Sequence, residues 1–232
     1  MKNKIPDFAY HMTKFFTEYL PIQRNLSPNS IATYRDTFRL LLLFYDTEKH
    51  IKPNLLTLDM LDVQGIEDFM LWLKKERNCG ASTCNQRLGA LKSFFRYLQF
   101  ALPDRALQCQ ENLAIRPMKQ SEPGLKYLTI DGIKLLLEQP DIKTKYGRRD
   151  LAILSLMYDT GARVQEIADI KIVHIRFSAP ATIRITGKGD KTRVVPLLSR
   201  TEDILKQYIK DFKIDAGGND AYLFQNRNGQ HL

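Results

Sequence analysis

The sequence predicts a mainly α-helical protein with a small antiparallel β-sheet, divided into two domains. Three observations carry that expectation. Apolar residues recur at helical spacing through the first hundred positions, as in Ile31, Tyr34, Phe38, Leu41, Leu42 and Tyr45. A stretch containing Pro103, Pro117 and Pro123, with little apolar periodicity, then interrupts the pattern. Beyond it, Ile183 and Ile185 alternate with Arg184 and Thr186, the period-two sign of a half-buried strand. These features place one domain at residues 1–102, a linker at 103–122 and a second domain at 123–232.

The first domain reads as four helices. Residues 8–20 form the first, ended by Pro21. Ser27 is a natural cap for the second, and Pro28 fits its first turn. Asn29, Thr33 and Arg35 lie off its buried face. Residues 60–77 form the third, with Phe69, Leu71, Trp72 and Leu73 inside, and Ser82 caps the fourth. On the fourth, Leu88, Leu91, Phe94, Phe95 and Leu98 share one side. Asn85, Lys92, Arg96 and Gln99 fall within about one-sixth of a turn of each other on the opposite side, at about 100° per residue. No acid interrupts that polar stripe, which suits phosphate contacts with some groove readout.

In the second domain Thr129 caps a helix bearing Ile133, Leu135, Leu136 and Leu137, and Lys143, Lys145, Arg148 and Arg149 form a basic cluster before the next. That next helix is apolar on most sides through Leu151, Leu154, Leu156 and Met157, so burial is expected. Gly161 ends it by supplying a left-handed cap. Arg163 then stands at the start of a further helix, where the dipole disfavours a cation. Such a charge calls for an anion. Glu166, one turn on, is the favoured partner on spacing alone; a bound phosphate is the other.

The hairpin shifts that balance. Gly187-Lys188-Gly189-Asp190 forms its tip, with glycines that permit close backbone approach. From residue 171 to 200 there are seven basic residues, Lys191 and Arg193 among them, and a single acid, Asp190. That net of +6 is most of the chain's +9. Two fixed cations, Arg163 and Lys188, are what a protein needs to hold one phosphate and neutralise charge growing on it.

The 232 residues are 44% hydrophobic and 26% charged, an ordinary globular balance. The basic excess favours a polyanionic partner. Cys79, Cys84 and Cys109 lack zinc-site spacing and read as reduced thiols, so no metal is expected. The P-loop order is absent, which argues against nucleotide binding, and no cofactor is expected. No apolar run approaches a membrane span, and the expectation is a cytoplasmic protein without a membrane partner.

Two motifs, T-G-A-R-V-Q-E-I from 160 and I-T-G-K-G-D-K-T-R-V-V-P-L from 185, resemble the first-arginine box and the lysine hairpin of the tyrosine recombinase (phage integrase) family, most closely its Xer-like members. Residues 27–39 and 82–98 are similar to that family's core-binding domain. The resemblance implies a helical SAM-like core-binding domain followed by an incomplete integrase-like catalytic domain. It implies that Arg163 binds the scissile phosphate and that Lys188 protonates the leaving oxygen. Glu166, Gly161, Gly187 and Gly189 would support the local fold. Asn29, Thr33, Arg35, Asn85, Lys92, Arg96, Arg148, Arg149, Lys191 and Arg193 would contact double-stranded DNA. Other recombinase protomers on paired sites are the implied protein partners.

The sequence departs from the family in its last part. No His-x-x-Arg occurs in the 232 residues, and neither Tyr208 nor Tyr222, the tyrosines after Lys188, fits the nucleophile. The catalytic set is therefore expected to be partial and the second domain to be only its N-terminal part. Three readings follow: the front part of a recombinase, unable to cleave alone; a non-catalytic DNA-binding protein that occupies recombination sites or partners a full-length recombinase; or a helical nucleic-acid or scaffold protein without that ancestry.

Overall fold

The computed structural model describes residues 7–120, 124, 127–214, 218, 220–226, 228 and 230–232. The chain divides into two compact units, one ending at residue 124 and the other beginning at 125.

In the first unit, α1 (Phe8–Lys14) continues directly as a π-helical stretch, Phe15–Gln23. Pro21 does not end the helix as expected; it sits inside the π-helical stretch. Proline's ring collides with the carbonyl four residues back in an α-helix, and wider winding relieves that collision. Next comes α2 (Pro28–Thr47), where the Ser27 hydroxyl accepts from the Ser30 amide and Pro28 takes the first position. Its core face is Phe38, Leu41, Phe44 and Tyr45. Asp62 caps α3 (Val63–Lys75) by accepting from the Gly65 amide at 2.7 Å. Met60 falls in a separate 3-10 turn before that cap. Leu71, expected inside, is exposed because Ile66, Phe69, Met70 and Leu73 define the buried face and position 71 lies off it.

The longest helix of the unit, α4 (Ala81–Ala101), has Gly80 rather than the expected Ser82 at its cap position, and it buries Leu88, Leu91, Phe94, Phe95 and Leu98 as expected. Phe94 is the hub of an aromatic cluster, with Phe8, Phe15 and Phe38 rings 5.2–5.9 Å away at steep angles. Edge-to-face pairs of this kind add about 0.5–1.5 kcal/mol each beyond area burial.

The expected linker at 103–122 is corrected over its first half. Residues there form a 3-10 turn, Pro103–Arg105, and α5 (Ala106–Ala114), which packs on α4 and buries Cys109 and Asn112. The Asn112 amide donates to the Leu61 carbonyl, and the Gln108 amide donates to that of Leu58. Arg105 pairs with Asp7 and Asp59. Polar anchors rather than an apolar stripe fasten this helix, which is why periodicity alone missed it. Residues 121 and 122 of the expected linker lie outside the described ones.

The second unit begins with α6 (Ile130–Glu138), capped by Thr129, which accepts from the Gly132 amide. The next helix, α7 (Lys145–Thr160), is capped by Thr144 at one end and Gly161 (φ 61°) at the other. Burial of α7 is partial: Ala152, Ser155 and Leu156 are buried, while Leu151, Leu154 and Met157 are half-buried. A short helix, α8 (Val164–Ala168), follows. Three antiparallel strands form a sheet in sequence order: β1 (Ile175–Arg176), β2 (Thr182–Thr186) and β3 (Thr192–Pro196). Ile183 pairs with Val195 and Ile185 with Arg193. Both isoleucines are buried, and Arg184 and Thr186 face outward. The last helix, α9 (Ser199–Phe212), packs along α7, and the Asp159 carboxylate accepts the Leu198 amide just ahead of it at 2.8 Å. The core joins Leu156, Ile167, Ile183, Ile185, Leu205, Tyr208, Leu223 and Phe224.

Candidate phosphate-binding site and DNA interface

The site is assembled where α8 meets the β2–β3 hairpin. Gly161 turns the chain out of α7, and Arg163 follows in an extended conformation at the cap position of α8. The Glu166 carboxylate folds back beneath it, accepting the Arg163 amide on Oε2 at 3.1 Å and its guanidinium Nη1 on Oε1 at 2.9 Å. The pairing favoured by spacing is therefore present. It does not consume the arginine. Glu166 is 6% exposed, whereas the Arg163 side chain is 79% exposed, so most of the guanidinium faces solvent.

Glu166 has a second cation. Arg193 of β3 places Nη2 2.7 Å from Oε2. The Glu166 carboxyl is held down at about 2, first by the Arg193 hydrogen bond and then by the Arg163 amide and guanidinium, against the opposing pull of burial. Gly187 closes the arrangement: a Cβ there would lie 2.6 Å from Glu166 Oε1. The glycine is needed for contact with this carboxylate rather than with a ligand. Gly189, in contrast, needs its freedom for a φ of 74° and has open space around it. The Gly187 amide donates to the Lys191 carbonyl at 2.9 Å and shuts the tip. Lys188 and Lys191 are exposed there, and neither has a side-chain partner among the described residues.

The remaining expected contacts separate into free and engaged groups. Asn29 and Arg35 are exposed on α2, and Thr33 is half-buried with its hydroxyl donating to the Asn29 carbonyl. Arg96 is exposed on α4 with no partner among the described residues. Asn85 and Lys92, on the same stripe, are engaged. Asn85 donates to the Met118 carbonyl and accepts its amide, both at 2.8 Å. The Lys92 ammonium donates to the Ile115 carbonyl at 2.6 Å; burial pushes its pKa down, and Arg96 adds to the effect. These two side chains strap residues 115–118 onto α4.

The basic cluster of the second unit is also engaged. Arg148 pairs through Nε with Asp211 at 2.7 Å and donates to the Ile142 carbonyl. Arg149 binds Asp150 and lies over the Tyr146 ring. Arg148 thereby fastens α7 to α9, and Arg149 Nη1 also donates to the Gln225 carbonyl at 3.4 Å. Arg193, expected at DNA, is bound to Glu166. The signal that could have exposed its role is Glu166 itself, an acid on the first turn of a short helix, followed by a hairpin rich in basic residues.

Both tyrosines after Lys188 contact their surroundings. Tyr208 is buried, its hydroxyl donates to the Leu223 carbonyl at 3.0 Å, and burial raises its pKa. Tyr222 is held between the Lys171 ammonium and the His231 ring.

Residues 126–232 match the model of the phage integrase family, and residues 14–100 match that of the phage integrase N-terminal SAM-like domain. The tyrosine recombinase XerD of Listeria monocytogenes is 31% identical over 224 residues, covering 94% of this chain and 71% of the relative. The chain belongs to the tyrosine recombinase family. It is also 34% identical over 221 residues to y4rC of Sinorhizobium fredii, a protein named as an integrase/recombinase, covering 95% of this chain and 66% of that one. The chain thus spans about two thirds of the length of these relatives. Among solved structures, the Tn1549 transposon integrase in complex with a circular intermediate DNA matches with a TM-score of 0.69 at 14% identity, over 99% of this chain and 74% of that one. The XerH site-specific recombinase bound to its difH substrate matches at 0.65 and 24%, over 90% and 59%. Both likenesses bear on the fold, which is mainly helical with a three-stranded sheet.

Proposed function

We propose that this chain is the DNA-binding, phosphate-gripping portion of a site-specific tyrosine recombinase that acts in DNA integration and recombination. The observation that carries the reading is an outward-facing Arg163, braced by the buried Glu166, together with Lys188 on the adjoining hairpin, which has no side-chain partner among the described residues. The relatives are recombinases by name, and the Tn1549 and XerH structures contain DNA.

In the proposed chemistry the free face of the Arg163 guanidinium holds the non-bridging oxygens of the scissile phosphate and neutralises the charge that grows there. Lys188 gives a proton to the leaving oxygen as the bond to phosphorus breaks. Glu166 takes no proton; held low by its two arginines, it stays ionised and keeps Arg163 in place. The incoming nucleophile is a tyrosine that these 232 residues do not supply. They bind DNA and do not cut it alone. On the DNA side, Asn29, Arg35, Arg96 and Lys191 are the free polar and basic groups that meet the backbone and groove. Asn85, Lys92, Arg148, Arg149 and Arg193 keep their internal partners.

A second reading is a non-catalytic protein that occupies recombination sites or partners a full-length recombinase. The two readings share the binding step. A fluorescence-anisotropy titration with an inverted-repeat duplex tests it. Affinity falls as salt rises, and Arg163→Ala and Lys188→Ala each lower the log–log slope by about one. A slope that neither change moves would remove both residues from the DNA.

A further inference from the structure

We propose that Arg193 is the positioning residue for Lys188: through Glu166 it clamps the hairpin tip against the helix that begins at Arg163. The proposal deepens the reading of Arg163 and Lys188 as the phosphate-gripping pair and rests on it.

Lys188 has no side-chain partner among the described residues, so the backbone of the tip is what limits where its ammonium can reach. That backbone is five residues, 187–191, beyond the last rung of the ladder, Thr186 opposite Thr192. Arg193 stands one residue past that rung on β3, opposite Ile185. Its Nη2 reaches a carboxylate on α8, 27 positions earlier in the chain. The same carboxylate lies beside Gly187, the residue before Lys188, where a Cβ would come within 2.6 Å of Oε1 and force it to shift. One buried anion is thus in contact with Arg163, with Arg193 and with the base of the tip. Ile183 and Ile185 anchor the lower part of the hairpin in the core, but nothing apolar holds the tip. β1 pairs only with Thr182 and Ile183, so the tip is two-stranded, and two strands alone are marginal without such an anchor. Misplacement of a reacting group by about 1 Å costs roughly a hundredfold in rate, so a clamp at this point has catalytic weight.

The competing assignment gives Arg193 its own phosphate contact. A double-mutant cycle in DNA affinity separates the two. Loss of one phosphate contact, worth a slope of about 0.9, weakens binding about eightfold at 0.1 M salt. Lys188→Ala is expected to show that loss, and Arg193→Gln a similar one. The double variant should fall within about twofold of Lys188→Ala alone, because the second change removes a contact already gone. Arg193→Lys keeps a cation for Glu166 and should recover most of the binding; it also serves if Arg193→Gln does not fold. Multiplying losses, about sixtyfold in the double variant with a slope lower by about two, would overturn the proposal. Hydrogen exchange in the DNA-free protein gives an independent reading. The Gly187 amide, which donates to the Lys191 carbonyl at the base of the tip, should exchange faster in Arg193→Gln, and unchanged exchange there would refute the clamp. If the unaltered chain bound no DNA, the phosphate-gripping reading would fail, while exchange would still report on the clamp by itself.

Discussion

Glu166 and Arg193 meet at 2.7 Å across 27 residues of sequence, and the carboxylate they share with Arg163 is almost sealed from solvent. The outward arginine and the hairpin lysine are therefore parts of one mechanical unit. A change at the buried acid should be felt at both cations.

Glu166→Gln tests that unit through pH. The folded carboxyl sits at about 2 against an ordinary value of 4.5. A lowered carboxyl contributes stability that is full above about 4.5 and is lost as pH falls toward 2. The variant should be less stable than the parent by about 1–3 kcal/mol at pH 7, below the cost of breaking a fully buried pair because both arginines reach water. The gap should narrow as pH falls below 4.5. Calorimetry or far-UV circular dichroism is the probe, because the only tryptophan, Trp72, lies in the first unit.

Arg163→Ala should cost less than about 1 kcal/mol of stability, because its ion pair is largely exposed and its amide still reaches Glu166. A fall of several degrees in the melting temperature of the second unit, with DNA affinity intact, would make this arginine a structural residue.

Two glycines in one tip should respond differently. Gly187→Ala forces a methyl to within 2.6 Å of Glu166 Oε1, so it should disturb the clamp and weaken DNA binding as Lys188→Ala does. Gly189→Ala meets open space and only a positive φ, a strain of about 1 kcal/mol, and should bind DNA nearly normally. Equal losses in anisotropy titrations would contradict the assignment of the contact to Glu166.

On α4, Arg96→Ala should weaken DNA binding and reduce the salt slope by about one. Lys92→Met should leave the slope almost unchanged but speed hydrogen exchange at residues 115–118, because the Ile115 carbonyl loses its donor. The reverse pattern would return Lys92 to the DNA interface.

Sequence reading succeeded where causes are local. The caps at Ser27, Thr129 and Gly161, the core side of α4 and the alternation of Ile183 and Ile185 each depend on neighbours within a few positions. It failed where a partner lies far along the chain. Asn85 meets Met118 and Lys92 meets Ile115, 33 and 23 residues away, so a stripe that reads as open to DNA is half occupied. Arg148 is likewise claimed by Asp211 from α9. The helix Ala106–Ala114 was hidden because amide side chains, not an apolar stripe, hold it down. The proposed phosphate-gripping pair was legible as residues; the carboxylate that joins them through Arg193 was not.

The most direct test of the central claim is a covalent-trapping assay. A nicked suicide duplex carrying a candidate recombination site is incubated with the 232-residue chain, alone and beside a full-length relative, and resolved on native and denaturing gels. The account predicts a salt-sensitive shift on the native gel and no protein–DNA adduct from the chain alone. An adduct from the chain alone would mean that one of its own tyrosines attacks the phosphate, and would contradict it.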